Sequence, residues 1–179
     1  DLFGYSVAID GDRVVVGAYR DGDNGTDSGS AYLYDWDGSS WVETKLTASD
    51  GAAGDLFGYS VAIDGDRVVV GALYDDDNGS NSGSAYIYDW DGSSWVETKL
   101  PVSDGAAGDS LGYSVAINGD RVVVGAPYDD DNGTDSGSAY LYDWNGSSWV
   151  ETKLPASDGA AGDYFGYSVA INGDRVVVG

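Results

Sequence analysis

The chain is a tandem repeat with a period of 54 residues, and this regularity restricts its possible folds more than any other feature. The segment that begins at Asp1 recurs at Asp55, Asp109 and Asp163. The first two copies differ at only eight of their 54 aligned positions. A repeat of this length is one supersecondary unit that packs on its neighbours. The predicted units are repeats 1, 2 and 3 and a partial repeat 4, over residues 1–54, 55–108, 109–162 and 163–179.

Each repeat carries the sequence pattern of four β-strands. Residues 3–9 alternate bulky with small side chains, which predicts a strand with one bulky and one small face. After an Asp-Gly turn, residues 13–18 are apolar on both faces, as in a strand that is covered on both sides. Two further strands are predicted over 31–36 and 41–46, on either side of a second Asp-Gly turn. No segment has helical periodicity.

Four antiparallel strands in a repeat of this length are typical of a β-propeller blade. The sequence therefore predicts an all-β fold of β-propeller blades, with three full four-stranded antiparallel sheets and two strands of a fourth. The alternative is a linear β-solenoid of stacked four-stranded units.

Composition excludes several classes of function. Asp and Glu number 31 against 8 Lys and Arg, so the formal charge is −23, which repels nucleic acids and anionic membrane surfaces. No apolar run approaches the roughly 18 residues of a membrane span, so membrane insertion is not expected. The chain has no Cys and no His, so it offers no thiolate nucleophile and no imidazole base for a serine. We expect a protein that is not an enzyme.

Two short motifs resemble the FG-GAP repeat of integrin α-chain propellers. Repeat 1 contains Phe3-Gly4 and Gly17-Ala18-Tyr19, and repeat 2 contains Phe57-Gly58 and Gly71-Ala72-Leu73. Repeat 3 contains Gly125-Ala126-Pro127, although Leu111-Gly112 stands there in place of Phe-Gly. The resemblance extends along the whole chain and is closest to bacterial secreted or surface proteins with tandem FG-GAP repeats. It implies a propeller, an extracellular, secreted or cell-surface location, and binding or adhesion to a protein or glycan. It implies no catalysis.

Calcium is the cofactor to consider, but at a different loop from the family's. Integrin-type repeats place a calcium loop between the first two strands, where this chain has only the short turn at 10–12. The loop after the second strand carries alternating carboxylates on a glycine-bent backbone, and Ca²⁺ prefers such oxygen ligands. The alternative is a solvated loop whose Asp and Asn side chains cap their own backbone. The candidate ligands in the three copies are Asp21, Asp23, Asp27, Asp75, Asp77, Asn81, Asp129, Asp131 and Asp135.

A pair of tryptophans flanks the second Asp-Gly turn of every full repeat. Exposed indoles stack on sugar faces, so these pairs support a carbohydrate-binding lectin as the alternative function. Indoles at a hairpin also bury a large apolar area, and covering the blade edge is the structural interpretation. The pairs are Trp36 and Trp41, Trp90 and Trp95, and Trp144 and Trp149.

Three and a half blades are too few to close a propeller ring, which typically contains 4–8. The sequence predicts an apolar face at each end of the row, with residues 14–16 at one end and 176–178 at the other. Uncovered repeat faces promote aggregation. We therefore expect either self-association or a place within a longer repeat chain, and not an isolated monomer.

Overall fold

The computed structural model describes residues 1–179, which form fourteen β-strands and no helix. No segment is therefore a helix that could cross a membrane. The strands are β1 (Val7–Asp10), β2 (Arg13–Ala18), β3 (Ser30–Trp36), β4 (Trp41–Leu46), β5 (Phe57–Asp64), β6 (Arg67–Ala72), β7 (Ser84–Trp90), β8 (Trp95–Lys99), β9 (Ser114–Asn118), β10 (Arg121–Ala126), β11 (Ser138–Trp144), β12 (Trp149–Pro155), β13 (Val169–Asn172) and β14 (Arg175–Val178).

The strands form three four-stranded antiparallel sheets and one two-stranded sheet. Each full sheet pairs its strands in chain order, from β1 to β4, from β5 to β8 and from β9 to β12, and β13 pairs with β14. This all-β arrangement of propeller blades confirms the predicted fold class. No strand of the fourth sheet pairs with the first, so the row of sheets is open.

The two Asp-Gly turns of each repeat form hairpins for identifiable reasons. Gly11 has a φ of 54°, a left-handed conformation that glycine adopts without steric cost. In the second turn, Asp37 Oδ1 accepts hydrogen bonds of 2.8 Å from the backbone N–H groups of Ser39 and Ser40. These local interactions set the strand register within each sheet.

The hydrophobic core lies between successive sheets. One cluster combines Val15 and Leu33 of repeat 1 with Phe57, Val61 and Ile63 of repeat 2. A second cluster joins repeats 2 and 3 in the same way. A single sheet has no core of its own, so each repeat depends on its neighbours for burial.

The glycines of the FG-GAP motifs allow adjacent sheets to approach closely. Gly17 of repeat 1 lies against the backbone of Gly58 in repeat 2, and a methyl group on Gly17 would overlap the Gly58 carbonyl oxygen. Gly58 in turn packs against the carbonyl group of Ser30. The two motifs are therefore the two sides of one contact between repeats.

The first strand of a repeat is more irregular than its alternation predicts. The pairing of β5 with β6 shifts between Phe57 and Ser60, which is a β-bulge. Phe57 is consequently buried in the core, while Tyr59 is only half-buried. In repeat 2, the expectation that the bulky side chains of the first strand share one face was therefore wrong, because the bulge turns Tyr59 away from the core that buries Phe57.

Both ends of the row expose apolar side chains, although at the N-terminal end they differ from those expected. Val15 is buried against repeat 2, and Val16, on the opposite face of β2, is only 7% exposed, so the predicted exposure of residues 14–16 was wrong. The first strand is exposed there instead. The fractional exposure is 55% for Phe3 and 70% for Ile9 at this end, and 67% for Val177 at the other.

Candidate functional site

One tyrosine from each repeat contributes to a continuous line of aromatic rings, which we call the tyrosine row. Its members are Tyr5, Tyr59, Tyr113 and Tyr167. Successive ring centroids are 5.0, 5.3 and 4.7 Å apart, with interplanar angles of 42–55°. The Tyr5 hydroxyl donates a hydrogen bond of 3.1 Å to the Tyr59 hydroxyl. In repeat 2, the β-bulge at the start of β5 turns the Tyr59 ring out of the core.

Further tyrosines widen this surface. Tyr128 contacts Tyr113 and Tyr164 edge-on, at centroid distances of 6.1 and 5.6 Å. Tyr74 and Tyr164 are exposed. Burial and the hydrogen bond with Tyr167 raise the pKa of Tyr113 to about 12, so its hydroxyl stays protonated at neutral pH. The rings form an aromatic surface whose hydroxyl groups are able to donate hydrogen bonds.

Acidic side chains near the loops after β2, β6 and β10 surround a lysine. Lys99 Nζ lies 2.9 Å from an oxygen of Asp50, 3.1 Å from one of Asp75 and 2.5 Å from one of Asp77. Tyr86 donates hydrogen bonds to Asp75 and Asp50, at 2.8 and 2.9 Å. Because Asp50 belongs to repeat 1, this lysine cluster ties two repeats together.

The lysine clusters of repeats 1 and 3 follow the same plan. Lys153 contacts Asp104, Asp129 and Asp131 at 2.6–2.7 Å, whereas Lys45 contacts only Asp21 and Asp23. The hydrogen bond from Lys45 lowers the pKa of Asp21 to about 2. Burial favours a raised pKa at Asp129, but hydrogen bonds from Lys153 outweigh it and hold that pKa below its usual value.

The structure brings together two of the three candidate calcium ligands in each loop. These two carboxylates both contact a lysine ammonium group. In repeat 2, the carboxylates of Asp50, Asp75 and Asp77 surround that group and present oxygens within 4.8 Å of one another. The third candidates, Asp27, Asn81 and Asp135, have left-handed backbones and take no part in these contacts. With the ammonium group at the centre, the donor set does not fit a calcium ion. Calcium binding stays a prediction that requires the lysine to move.

The tryptophan pairs stack within each hairpin, at centroid distances of 5.4–5.6 Å. In repeats 2 and 3 they also contact the preceding repeat. Arg13 lies 5.3 Å from the Trp95 ring centroid, and Arg67 lies 4.8 Å from that of Trp149, which is buried. Trp36 and Trp41 of repeat 1 are exposed, while Trp90 and Trp144 are half-buried.

Arginines also line the clefts between the hairpins of adjacent repeats. Arg67 pairs with Asp89 of its own repeat at 2.6 Å and with Asp120 of the next at 3.1 Å. The cleft that contains these groups has a volume of about 480 Å³ and is bordered by Trp90 and Trp144. Its carboxylates therefore serve as partners of an arginine that joins two repeats.

Sequence reasoning missed both the tyrosine row and the lysine clusters. The signal for the row was a tyrosine at the same position of all four repeats, with a polar tip in an otherwise apolar pattern. The lysines recur at position 45 of each full repeat. Their acidic partners lie 22–49 residues earlier in the chain, beyond the reach of local patterns.

Comparison with known proteins identifies the repeat. A family profile described as FG-GAP repeat matches residues 1–34, 41–88, 95–142 and 149–179. Among solved structures, the chain is similar to one described as "Structure of YjhT", with 15% identity and a TM-score of 0.35 over 97% of this chain and 70% of that chain. No curated protein matches the chain. The profile covers most of the sequence in four successive units, and the chain therefore belongs to the FG-GAP repeat family.

Proposed function

We propose that this repeat module of propeller type is a non-enzymatic binding and adhesion module that acts outside the cell. The observation that carries the proposal is the tyrosine row. Tyrosine combines a rigid ring with a polar tip and is enriched in the centres of protein interfaces. Contiguous exposed aromatic surface is also a mark of an interaction site.

The partner we propose is a protein with a basic surface, carried on a cell or in the extracellular matrix. The net charge of −23 attracts a basic partner over a distance and speeds its encounter. The uncharged tyrosines then supply the contact itself. FG-GAP repeats are typical of extracellular proteins, which supports this location.

Cell attachment to a surface coated with the chain tests the proposal. We expect Tyr113→Ser to reduce attachment, because it removes one ring from the middle of the row. Tyr34→Ser is the matched control, since Tyr34 lies on β3 outside the row and bonds only to Glu43. Circular dichroism would verify that both variants fold. Equal attachment of the two variants, or no attachment of the parent chain, would contradict the proposal.

A lectin is the second candidate, and the observation that favours it is the exposed pair in repeat 1. Trp36 and Trp41 stack at 5.4 Å and are 40% and 50% exposed, which leaves ring surface free for a sugar. A glycan array with Trp41→Ala as the control distinguishes the two functions. Glycan binding that Trp41→Ala abolishes and Tyr113→Ser does not change would favour the lectin.

A further inference from the structure

The two exposed ends of the chain are the two halves of an interface that already occurs three times within it. Each repeat presents one face to the repeat before it and another to the repeat after it. Repeat 1 exposes the first of these faces and repeat 4 exposes the second. We propose that, for a chain of residues 1–179, the exposed face of repeat 4 binds the exposed face of repeat 1 in a second copy.

The apolar part of the interface is complementary. Within the chain, Val15 of repeat 1 packs in one cluster with Phe57 and Ile63 of repeat 2. Val177 is the counterpart of Val15 in repeat 4 and is 67% exposed. The counterparts of Phe57 and Ile63 in repeat 1 are also exposed. Docking a second copy buries Val177 and part of the repeat 1 face, because repeat 4 carries the counterparts of β1 and β2 but not of β3 and β4.

The charged part is complementary as well. Arg13 pairs with Asp66 of the next repeat, Arg67 with Asp120 at 3.1 Å and Arg121 with Asp174 at 2.9 Å. The series continues with Arg175, which is exposed and forms no ion pair. At the other end, the exposed Asp12 is the counterpart of Asp66 and has no cationic partner. The new interface pairs Arg175 of one copy with Asp12 of the other.

Two further contacts complete the match. The tyrosine row continues across the junction, because Tyr167 of one copy meets Tyr5 of the other. Gly173 N–H donates to Asn118 Oδ1 at 2.7 Å, and in the same way Gly11 N–H of the second copy reaches Asn172 of the first. All these groups lie in residues 163–179 and in repeat 1. The partial repeat 4 therefore presents the inner half of the interface.

The contact is head-to-tail, so it links successive copies into a ring if the rotation closes and into a filament if it does not. The charge of −23 on each copy opposes association at low ionic strength. At about 0.15 M salt the Debye length falls to roughly 8 Å, so long-range repulsion is screened while ion pairs in contact persist. Association is expected to strengthen between low salt and this value.

Sedimentation velocity of the chain at physiological salt, across the widest concentration range that its solubility allows, tests the proposal. We expect the mean mass to rise with concentration. Arg175→Asp and Asp12→Arg should each weaken association by about tenfold or more, because each places two like charges in contact. Mixing the two variants should restore association, since every junction between unlike copies again joins opposite charges.

Two matched controls separate this interface from general changes in charge or apolarity. Arg20→Asp makes the same charge change at an arginine that also lacks an ion pair but lies outside the exposed end faces, and it should leave association unchanged. Ile9→Lys should weaken association, whereas Val42→Lys, at an exposed valine of β4, should not. A monomer at all concentrations, equal effects of Arg20→Asp and Arg175→Asp, or no recovery in the mixture would overturn the proposal.

Discussion

Residues 1–18 and 55–72 have the same sequence but different structures. In repeat 2 the first strand extends over Phe57–Asp64, whereas in repeat 1 it is only Val7–Asp10. Ile63 is 8% exposed and its counterpart Ile9 is 70% exposed. The sequence is common to both copies, so the difference in burial comes from the neighbour. Repeat 2 packs on a preceding repeat and repeat 1 does not.

The preceding repeat also binds the backbone just before or at the start of the first strand. Gly29 of repeat 1 forms a parallel bridge with Phe57, and the Phe57 N–H donates to the Ser28 carbonyl group at 3.0 Å. Within residues 1–179, the Phe3 N–H forms no equivalent bond. Each repeat therefore supplies backbone bonds and buried contacts to the repeat that follows it, as in other repeat arrays.

The largest expected contrast is between Phe57→Ala and Phe3→Ala. The two rings contact equivalent tyrosines, Tyr86 and Tyr32, both at 5.4 Å, and differ only in the neighbouring repeat. Phe57→Ala should lower the free energy of unfolding by about 3–5 kcal/mol, as for a buried phenylalanine. Phe3→Ala should lower it by about 1 kcal/mol or less. Urea denaturation of dilute samples measures both losses of free energy. Equal losses would show that the preceding repeat does not make Phe57 more stabilising than Phe3.

The second largest effect on the free energy of unfolding is expected at a buried aspartate, and it depends on pH. Burial raises the pKa of Asp109 to about 6, and the charges of Asp129 and Asp130 add to the effect. The folded chain then holds a proton that the unfolded chain releases near pH 4, so this group lowers stability as pH rises from about 4 to about 6. Asp109→Asn should stabilise the chain by up to about 3 kcal/mol at pH 7 and not at pH 4.

The control for this prediction is the same substitution in the exposed last repeat. Asp163→Asn should change stability by no more than about 0.5 kcal/mol at either pH, as is usual at the surface. Urea denaturation at pH 4 and pH 7 compares the two variants. A gain for Asp109→Asn that is the same at both pH values would show that its cause is not the buried charge.

Two equivalent glycines test how much the close approach between repeats contributes to stability. Gly58 and Gly4 have φ values of 89° and 87°, so alanine imposes the same backbone strain at both positions. A methyl group at Gly58 would also overlap the Ser30 carbonyl oxygen, while the space around Gly4 is open. Gly58→Ala should therefore cost about 1–3 kcal/mol more than Gly4→Ala. Equal thermal stabilities of the two variants would contradict the inter-repeat role of the motif.

The smallest expected effect concerns calcium. The chain should have the same melting temperature in chelator and in calcium, because a lysine occupies each acidic cluster. Lys153→Gln leaves three carboxylates without a cation, whereas Lys45→Gln leaves two, so calcium should stabilise the first variant more than the second. A rise in the melting temperature of the unsubstituted chain would support the calcium prediction as first made.

Sequence reasoning succeeded where the interactions are local. The strands 13–18 and 41–46 match β2 and β4, because their apolar patterns and flanking Asp-Gly turns lie within a few residues. It failed where a residue depends on the adjacent repeat. The burial of Phe57 depends on packing against repeat 1, and the partners of Lys99 lie on two repeats. The sequence analysis also did not predict that Val15 faces repeat 2, for the same reason.

Hydroxyl-radical labelling followed by trypsin digestion measures the burial of each first strand separately. The first strands of the four repeats fall in tryptic peptides that differ in sequence, which are 1–13, 46–67, 100–121 and 154–175. In dilute samples, peptides 1–13 and 154–175 should be labelled several times faster than the two interior ones, although 1–13 recurs in full within 46–67. Equal labelling of all four peptides would contradict the claim that neighbouring repeats, rather than the local sequence, determine burial.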